Sequence, residues 1–319
     1  MGAAAPLAAA ALLMLGNLAQ GQSTPAPYSI PQSVQIIPVP LPPNTGRLQV
    51  LIITGQNSYE HDWRGTTNAL RKMLEDTGRF EVHVTEDFRG ASAVTLKPYQ
   101  AVLLNYTGRW FYSDPVEQRW GPGPEKALFD YVRNGGGIVV YHASFTMGAP
   151  DWPEFESLAG GTLRSTPSQS RRNPQDAFRL HVVDRSDPIT SGMREYLWSF
   201  DEDMYTNMRW NPNTRIHVLV TGYDDSSAYQ AKFAGPKYPP EQYTAEKLRS
   251  MPWMDKENPL VWTSMFGGGR VFCITLGHGP DTLQYDGVAS LMTRGTEWAA
   301  SGMVTIPPKE KALAFSGAP

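Results

Sequence analysis

Apolar residues along this chain gather in short, nearly unbroken runs, separated by stretches with helical spacing. Leu48 to Thr54 is almost continuous in β-branched and other apolar residues, the pattern of a central parallel strand covered on both faces. Thr66 to Thr77 then carries Ala69, Leu70, Met73 and Leu74 at helical spacing, with Gly78 as a stop, and Phe80 to Val84 reads as the next strand. Tyr99 to Asn105 is another apolar strand. Glu125 to Arg133 is a helix ended by Asn134-Gly135-Gly136-Gly137, which leads into the strand Ile138 to His142. Such alternation predicts an α/β fold, an open, mostly parallel sheet with helices on both faces and ligands bound beyond the strands' carboxyl ends. The second half is less regular. Phe178 to Val183 and Arg215 to Thr221 alternate like strands, Gly269 to Leu276 is a long β-type run, and Glu297-Trp298 closes the last helix. The Pro-, Tyr- and Lys-rich stretch from Asp224 to Asp255 has no clear period and reads as a surface insertion or lid.

Length and composition set the boundaries. With 319 residues and 41% hydrophobic content the chain can bury a full core, assigned to one α/β domain over 46–304 with a C-terminal tail over 305–319. Residues 3–20 form an uncharged Ala/Leu-rich stretch followed by Ala19-Gln20-Gly21, a small-x-small pattern that a signal peptidase could cut, though a basic n-region is missing. A signal peptide over 1–21 implies a periplasmic or extracellular protein with no membrane contact beyond that segment. Seven prolines between Pro25 and Pro43 make 22–45 an extended linker. A formal net charge of −3 supplies no field to gather phosphate backbones, so nucleic acid is not an expected partner. The single cysteine, Cys273, excludes an internal disulfide.

Six histidines sort by context. His83, His181 and His217 sit inside alternating strand patterns and read as ordinary sheet positions. His142 and His278 each end a strong apolar strand and lead into small or loop-forming residues. His61 lies in the loop after the first strand, on the same carboxyl side, where function concentrates. A carboxylate is offered by the cluster Asp201-Glu202-Asp203, flanked by Phe200 and Tyr205, and acid beside aromatic suggests partial desolvation.

Three stretches together resemble the ThuA-like (trehalose utilisation) family. Val50 to Gly55 with His61-Asp62-Trp63 is similar to its opening. Gly135 to Ala143, followed by Trp152-Pro153-Glu154 and Leu158 to Gly161, looks like its central strand and helix. Asp187 to Gly192, Asp201 to Tyr205, Pro259 to Trp262, Gly269 to Phe272 and Leu276-Gly277-His278 match its second half in order. The resemblance implies a flavodoxin-like sheet of the class I glutamine amidotransferase-like type, whose catalytic relatives carry a cysteine on the sharp turn after a central strand. Here that turn holds His142, and Cys273 lies inside a different strand, so no thiolate stands where a glutaminase needs one. Two departures stand out: Asp187 replaces a frequent histidine before Pro188, and Asp203 stands where a glutamate is frequent, which leaves Asp203 and Glu202 as alternatives for the site carboxylate.

His61, His142 and His278 with Asp203 form a ligand set suited to zinc, manganese or another divalent ion. The same groups without metal would serve general acid/base catalysis, and the sequence does not separate the two. No nucleotide cofactor is expected. The resemblance implies a carbohydrate or oxidised-sugar substrate; Trp63, Trp110, Trp152 and Trp253 in predicted loops could stack on sugar rings, with Tyr205 beside them. Arg109, with Arg64, Arg171 and Arg172, could grip hydroxyls or a carboxylate. The expected activity is therefore a sugar-active hydrolase or lyase, and the competing reading is a non-catalytic carbohydrate-binding or scaffold module on the same fold. A homo-oligomer stays open.

Overall fold

The structure, a computed structural model, describes residues 46–57, 61–108, 119–148, 152–163, 171–172, 177–200, 202–232 and 244–309. The signal-like segment, the linker, Arg109, Trp110, Asp201 and most of the tail lie outside the described residues.

Strand β1 (Leu48–Ile53) sits inside the sheet between β2 (Phe80–Thr85) and β3 (Ala101–Leu104), parallel to both. Its side chains alternate between two cores, as pleating requires. Val50 and Ile52 pack with Leu70 and Leu74 of helix α1 (Trp63–Glu75), while Leu51 and Ile53 join Leu128 and Phe129 of α2 (Pro122–Arg133). Strand β4 (Gly137–Tyr141) lies beside β3, and Ile138 and Val140 face one core while Val139 and Tyr141 face the other. Helix α1 begins earlier than its apolar spacing suggests because the Asp62 side chain accepts the Gly65 N–H at 2.9 Å, an N-cap that draws Trp63 and Arg64 into the helix.

Beyond the parallel half the sheet changes character. The remaining strands are β5 (Ala177–Val182), β6 (Tyr196–Phe200), β7 (His217–Tyr223), β8 (Glu257–Phe266) and β9 (Gly269–Ile274), and the nine-stranded order is β2-β1-β3-β4-β9-β8-β7-β5-β6. Strand β9 is parallel to β4, but β8, β7, β5 and β6 pair antiparallel in turn, so the sheet is mixed where a mostly parallel one was expected. Two residues, Gly267 and Gly268, separate β8 from β9, and a connection that short can join only antiparallel neighbours. Strand β8 is hidden in the sequence by Pro259, which pairs with Thr221 next to an irregular register in β7, where a missing N–H is tolerated.

Helices complete both faces. Helix α3 (Pro153–Ala159) adds Phe155 and Leu158 to the α2 side, and α4 (Asp286–Ser301) lays Val288, Leu291 and Met292 against the other face. Glu297 does not close that helix; it is fully buried within it and accepts Thr305 N–H at 2.7 Å and Ile306 N–H at 3.0 Å, fastening the start of the C-terminal tail. The expected insertion over 224–255 contains two short helices, Ser226–Lys232 and Ala245–Ser250, with Tyr229, Leu248 and Met254 in a small core of their own, and 233–243 lie outside the described residues. Among the described residues no helix is long and apolar enough to cross a membrane.

Candidate metal centre

His142 follows β4 directly and holds a positive φ of 41°, a strained backbone for a residue with a Cβ. This is the sharp strand-to-turn corner at which related sheets place a nucleophile, and here it leads into the 3₁₀ turn His142–Gly148. The corner points the imidazole inward, where Nδ1 lies 2.6 Å from the carbonyl oxygen of Thr275, just past the end of β9. A carbonyl only accepts, so Nδ1 carries the proton and Nε2 offers its lone pair to the site. Burial pushes the His142 pKa well below its ordinary value, and the facing His61 and His278 add to the shift, so the ring is neutral as a ligand or base must be.

The other three groups arrive from separate loops. His61 precedes the Asp62 cap of α1 and sets Nε2 3.1 Å from Nε2 of His142. Behind it, the Asn105 amide at the end of β3 donates to Thr66 Oγ1 at 3.0 Å and to the Trp63 carbonyl at 3.3 Å, tying the start of α1 to the sheet. His278 follows β9 and lies edge-on to both other rings, 4.9 Å from His61 and 5.6 Å from His142 between centroids. Its Nδ1 stands 3.1 Å from Asp203 Oδ2. The four residues bring one ligand atom each within 4.8 Å of one another, the one such group among the described residues.

The spacings fit an ion. Two nitrogens about 2.0–2.1 Å from one metal are roughly 2.9–3.4 Å apart at angles from square to tetrahedral. The 3.1 Å separation of two histidine Nε2 atoms falls in that interval. His278 Nδ1 is buried with no hydrogen-bond partner despite its closeness to Asp203, as when two donors aim at a common point instead of at each other. Closing the widest gap takes about half an ångström of side-chain adjustment, since ligands across one ion stand at most about 4.2 Å apart.

The two neighbouring carboxylates have different partners. Asp203 Oδ2 stands against the His278 ring, whereas Glu202, one residue back along the chain, gives its oxygens to backbone N–H groups and comes only to the Nδ1 side of His142, at 3.9 Å. Glu202 Oε2 accepts Gly277 N–H at 2.5 Å, and its Oε1 accepts the N–H groups of His278 and Asp203, each at 3.0 Å. Burial pushes the Glu202 carboxyl up to about 8, and those three N–H groups pull against the shift. Glu202 thus joins the segment bearing Asp203 to the turn bearing His278. The Tyr141 hydroxyl grips the same turn at the Gly277 carbonyl, and Gly277, at φ 113°, has no room for a Cβ beside the Tyr141 ring. The latch role of Glu202 was not legible in the sequence; its only signal was membership of the acidic cluster.

Tyr205 belongs to this site: it is 1% exposed, its ring stacks on His142 at 4.8 Å, and its hydroxyl lies 3.0 Å from His142 Nε2. Other sequence candidates fall elsewhere. Trp152 is buried, stacked on Phe155, met edge-on by Phe129 and covered by the Arg119 guanidinium at 3.8 Å, so the ring expected to stack on a sugar stands in the core instead of lying open to a ligand. Trp63 is the first residue of α1, not a loop residue, and Arg64 lies over its ring at 4.0 Å. Trp253 is half-buried, and the Arg171-Arg172 backbone pairs with Tyr205-Thr206. Arg109 and Trp110 lie outside the described residues. His83, His181 and His217 contact Tyr99, Tyr196 and Asp184 respectively, away from the centre. Cys273 is buried in β9, and burial pushes its thiol up.

Fold and corner together define the class: a flavodoxin-like α/β protein of the glutamine amidotransferase-like type in which histidine stands at the nucleophile corner. The chain belongs to the ThuA (trehalose utilisation) family, whose model matches residues 49–299. Among solved structures it is similar to a ThuA-like protein of Parabacteroides merdae, with 26% identity, a TM-score of 0.63, and coverage of 81% of this chain and 92% of that one. A ThuA-like protein of Bacteroides uniformis shares the fold at 19% identity and a TM-score of 0.54, with 81% and 94% covered. No curated protein matches the chain.

Proposed function

We propose that this protein is an exported carbohydrate-active enzyme, a hydrolase or lyase acting on a glycoside or an oxidised sugar. In this reading His61, His142, His278 and Asp203 hold a divalent ion, zinc or manganese. The observation that carries the proposal is the convergence of those four residues, drawn from four separate segments, around neutral imidazole. His278, the most exposed of the four residues with 32% of its side chain open, gives the cluster an outlet that a purely structural ion site does not need. A bound ion would act as a Lewis acid on a sugar oxygen or supply hydroxide near neutral pH. Around it, His142 is held in one tautomer by Thr275, and the Asp203 carboxylate would balance part of the ion's charge. The family description supports a sugar substrate, and the Ala/Leu-rich start supports export.

Metal analysis of the purified protein tests the reading. It should return about one equivalent of divalent metal, lost in His142→Ala and His278→Ala along with turnover in a screen of glycosides and keto-sugars. Protein without metal, or variants that keep full turnover, would overturn it. Mass spectrometry of protein recovered from the periplasm or medium should show cleavage near Gly21; retention in the cytoplasm at full length would remove the export claim.

A further inference from the structure

We infer that the groove at the amino ends of β3 and β4, at the opposite end of the sheet from the histidine centre, is the dock for this chain's own proline-rich segment 36–45. The inference does not depend on how the centre is read. The groove, of about 610 Å³, runs beside the short helix Ala93–Leu96 and α2, and Val94, Lys97, Gln100, Ala127, Tyr131 and Asn134 line it. Val94 leaves 77% of its surface open there. The Tyr131 hydroxyl donates to the Tyr99 carbonyl at 3.1 Å, and Gly136 lies so close to the ring that a Cβ would stand 2.4 Å from a ring carbon, so the ring is held as a fixed wall.

Place and length select the occupant. Leu48 opens β1 at the same end of the sheet, two strands from β4, and the Gln49 N–H donates to Gln100 Oε1 at 2.7 Å, so the point of entry touches a wall of the groove. Adjacent strands lie about 4.8 Å apart, whereas ten residues of polyproline II span about 31 Å, enough to reach the groove and lie along it. Tethering at that range gives an effective concentration in the millimolar range, above that of a second copy in dilute solution. The chemistry agrees. Residues 36–43 read Ile-Ile-Pro-Val-Pro-Leu-Pro-Pro, with four large aliphatic side chains and no charge, where a spacer meant for water is polar. Prolines 38, 40, 42 and 43 favour polyproline II, whose backbone makes no internal hydrogen bonds, and such segments dock in aromatic-lined grooves. Tyr131 supplies the ring, and Lys97 and Asn134 supply N–H donors for the unpaired carbonyls. The extended linker thus ends in a strap.

The test places spin labels at Ile36→Cys and Lys126→Cys in the full chain, where the native Cys273 is buried and stays unlabelled. One narrow distance should appear, persist on dilution with unlabelled protein, and broaden when Val39→Asp and Leu41→Asp are added. A thermal double-mutant cycle reads the groove side: Val94→Asp should lower Tm by about 3–6 °C in wild type and by less than about 1 °C in the Val39→Asp/Leu41→Asp background, because an undocked strap has nothing further to lose. A broad distance distribution in the parent chain, or an equal Tm effect of Val94→Asp in both backgrounds, would overturn the inference. A narrow distance that vanishes on dilution would give the groove to the segment of a second copy and overturn the tethered occupant.

Discussion

Glu202→Gln is the perturbation that most directly probes how the centre is assembled. The carboxyl is fully buried and accepts three backbone N–H groups, those of Gly277, His278 and Asp203. Glutamine keeps the shape but offers one oxygen. With that oxygen serving His278 and Asp203, the amide NH₂ faces the Gly277 N–H, leaving a buried donor against a donor at a cost of about 1–3 kcal/mol. For a domain of this size 1 kcal/mol moves Tm by about 2–4 °C, which predicts a fall of roughly 2–12 °C. Because the same groups hold the backbone at His278 and Asp203, cobalt affinity should also drop about 10–100-fold, the usual effect of losing an orienting partner. Calorimetry at pH 6.5 and a cobalt titration measure both. A Tm within 1 °C of wild type with cobalt affinity within threefold would refute the latch, and would mean that the Tyr141–Gly277 contact alone sets the turn.

Two further outcomes follow from the packing and the charges. Trp152→Ala removes a ring enclosed by Phe155, Phe129 and Arg119 and should cost about 3–5 kcal/mol in a denaturant titration while leaving cobalt affinity unchanged; weakened cobalt binding at preserved stability would return Trp152 to the site. Hydrogen bonds from Ser186, with His217 beside them, lower the Asp184 carboxyl to about 2. A carboxylate held below its unfolded value stabilises the fold above that value and loses the contribution as pH falls through the folded one. Wild type should therefore exceed Asp184→Asn in thermal stability at pH 7, with the gap closing from about pH 4 towards pH 2; a gap constant over that interval would contradict the assignment.

Much of this fold is legible in local pattern. The unbroken apolar runs of β1 and β4 announce strands buried on both faces, because only such strands need apolar residues at every position. Strand ends in such sheets are where sites form, which marks His142 and His278, and the lone buried Cys273 excludes thiol chemistry at the corner. The antiparallel half is less readable because its cues are tertiary. Pro259 is harmless only beside the irregular register of β7, and Trp152 leaves its expected surface role only because Phe129, Phe155 and Arg119 meet around it.

The centre itself divides the same way. Residue types and strand-end positions, which depend on neighbours in sequence, identified the three histidines and the acidic cluster. Their convergence depends on strand order: His61 and His142 are 81 positions apart, and Thr275, which fixes the His142 tautomer, lies 133 positions beyond that ring. Glu202 and Asp203 are adjacent acids with nearly the same local signal, and only the direction of the folded backbone makes one a latch on the Gly277 turn and aims the other at the histidines. Local pattern determines which groups are available; the order in which the sheet brings distant strand ends together determines which of them meet.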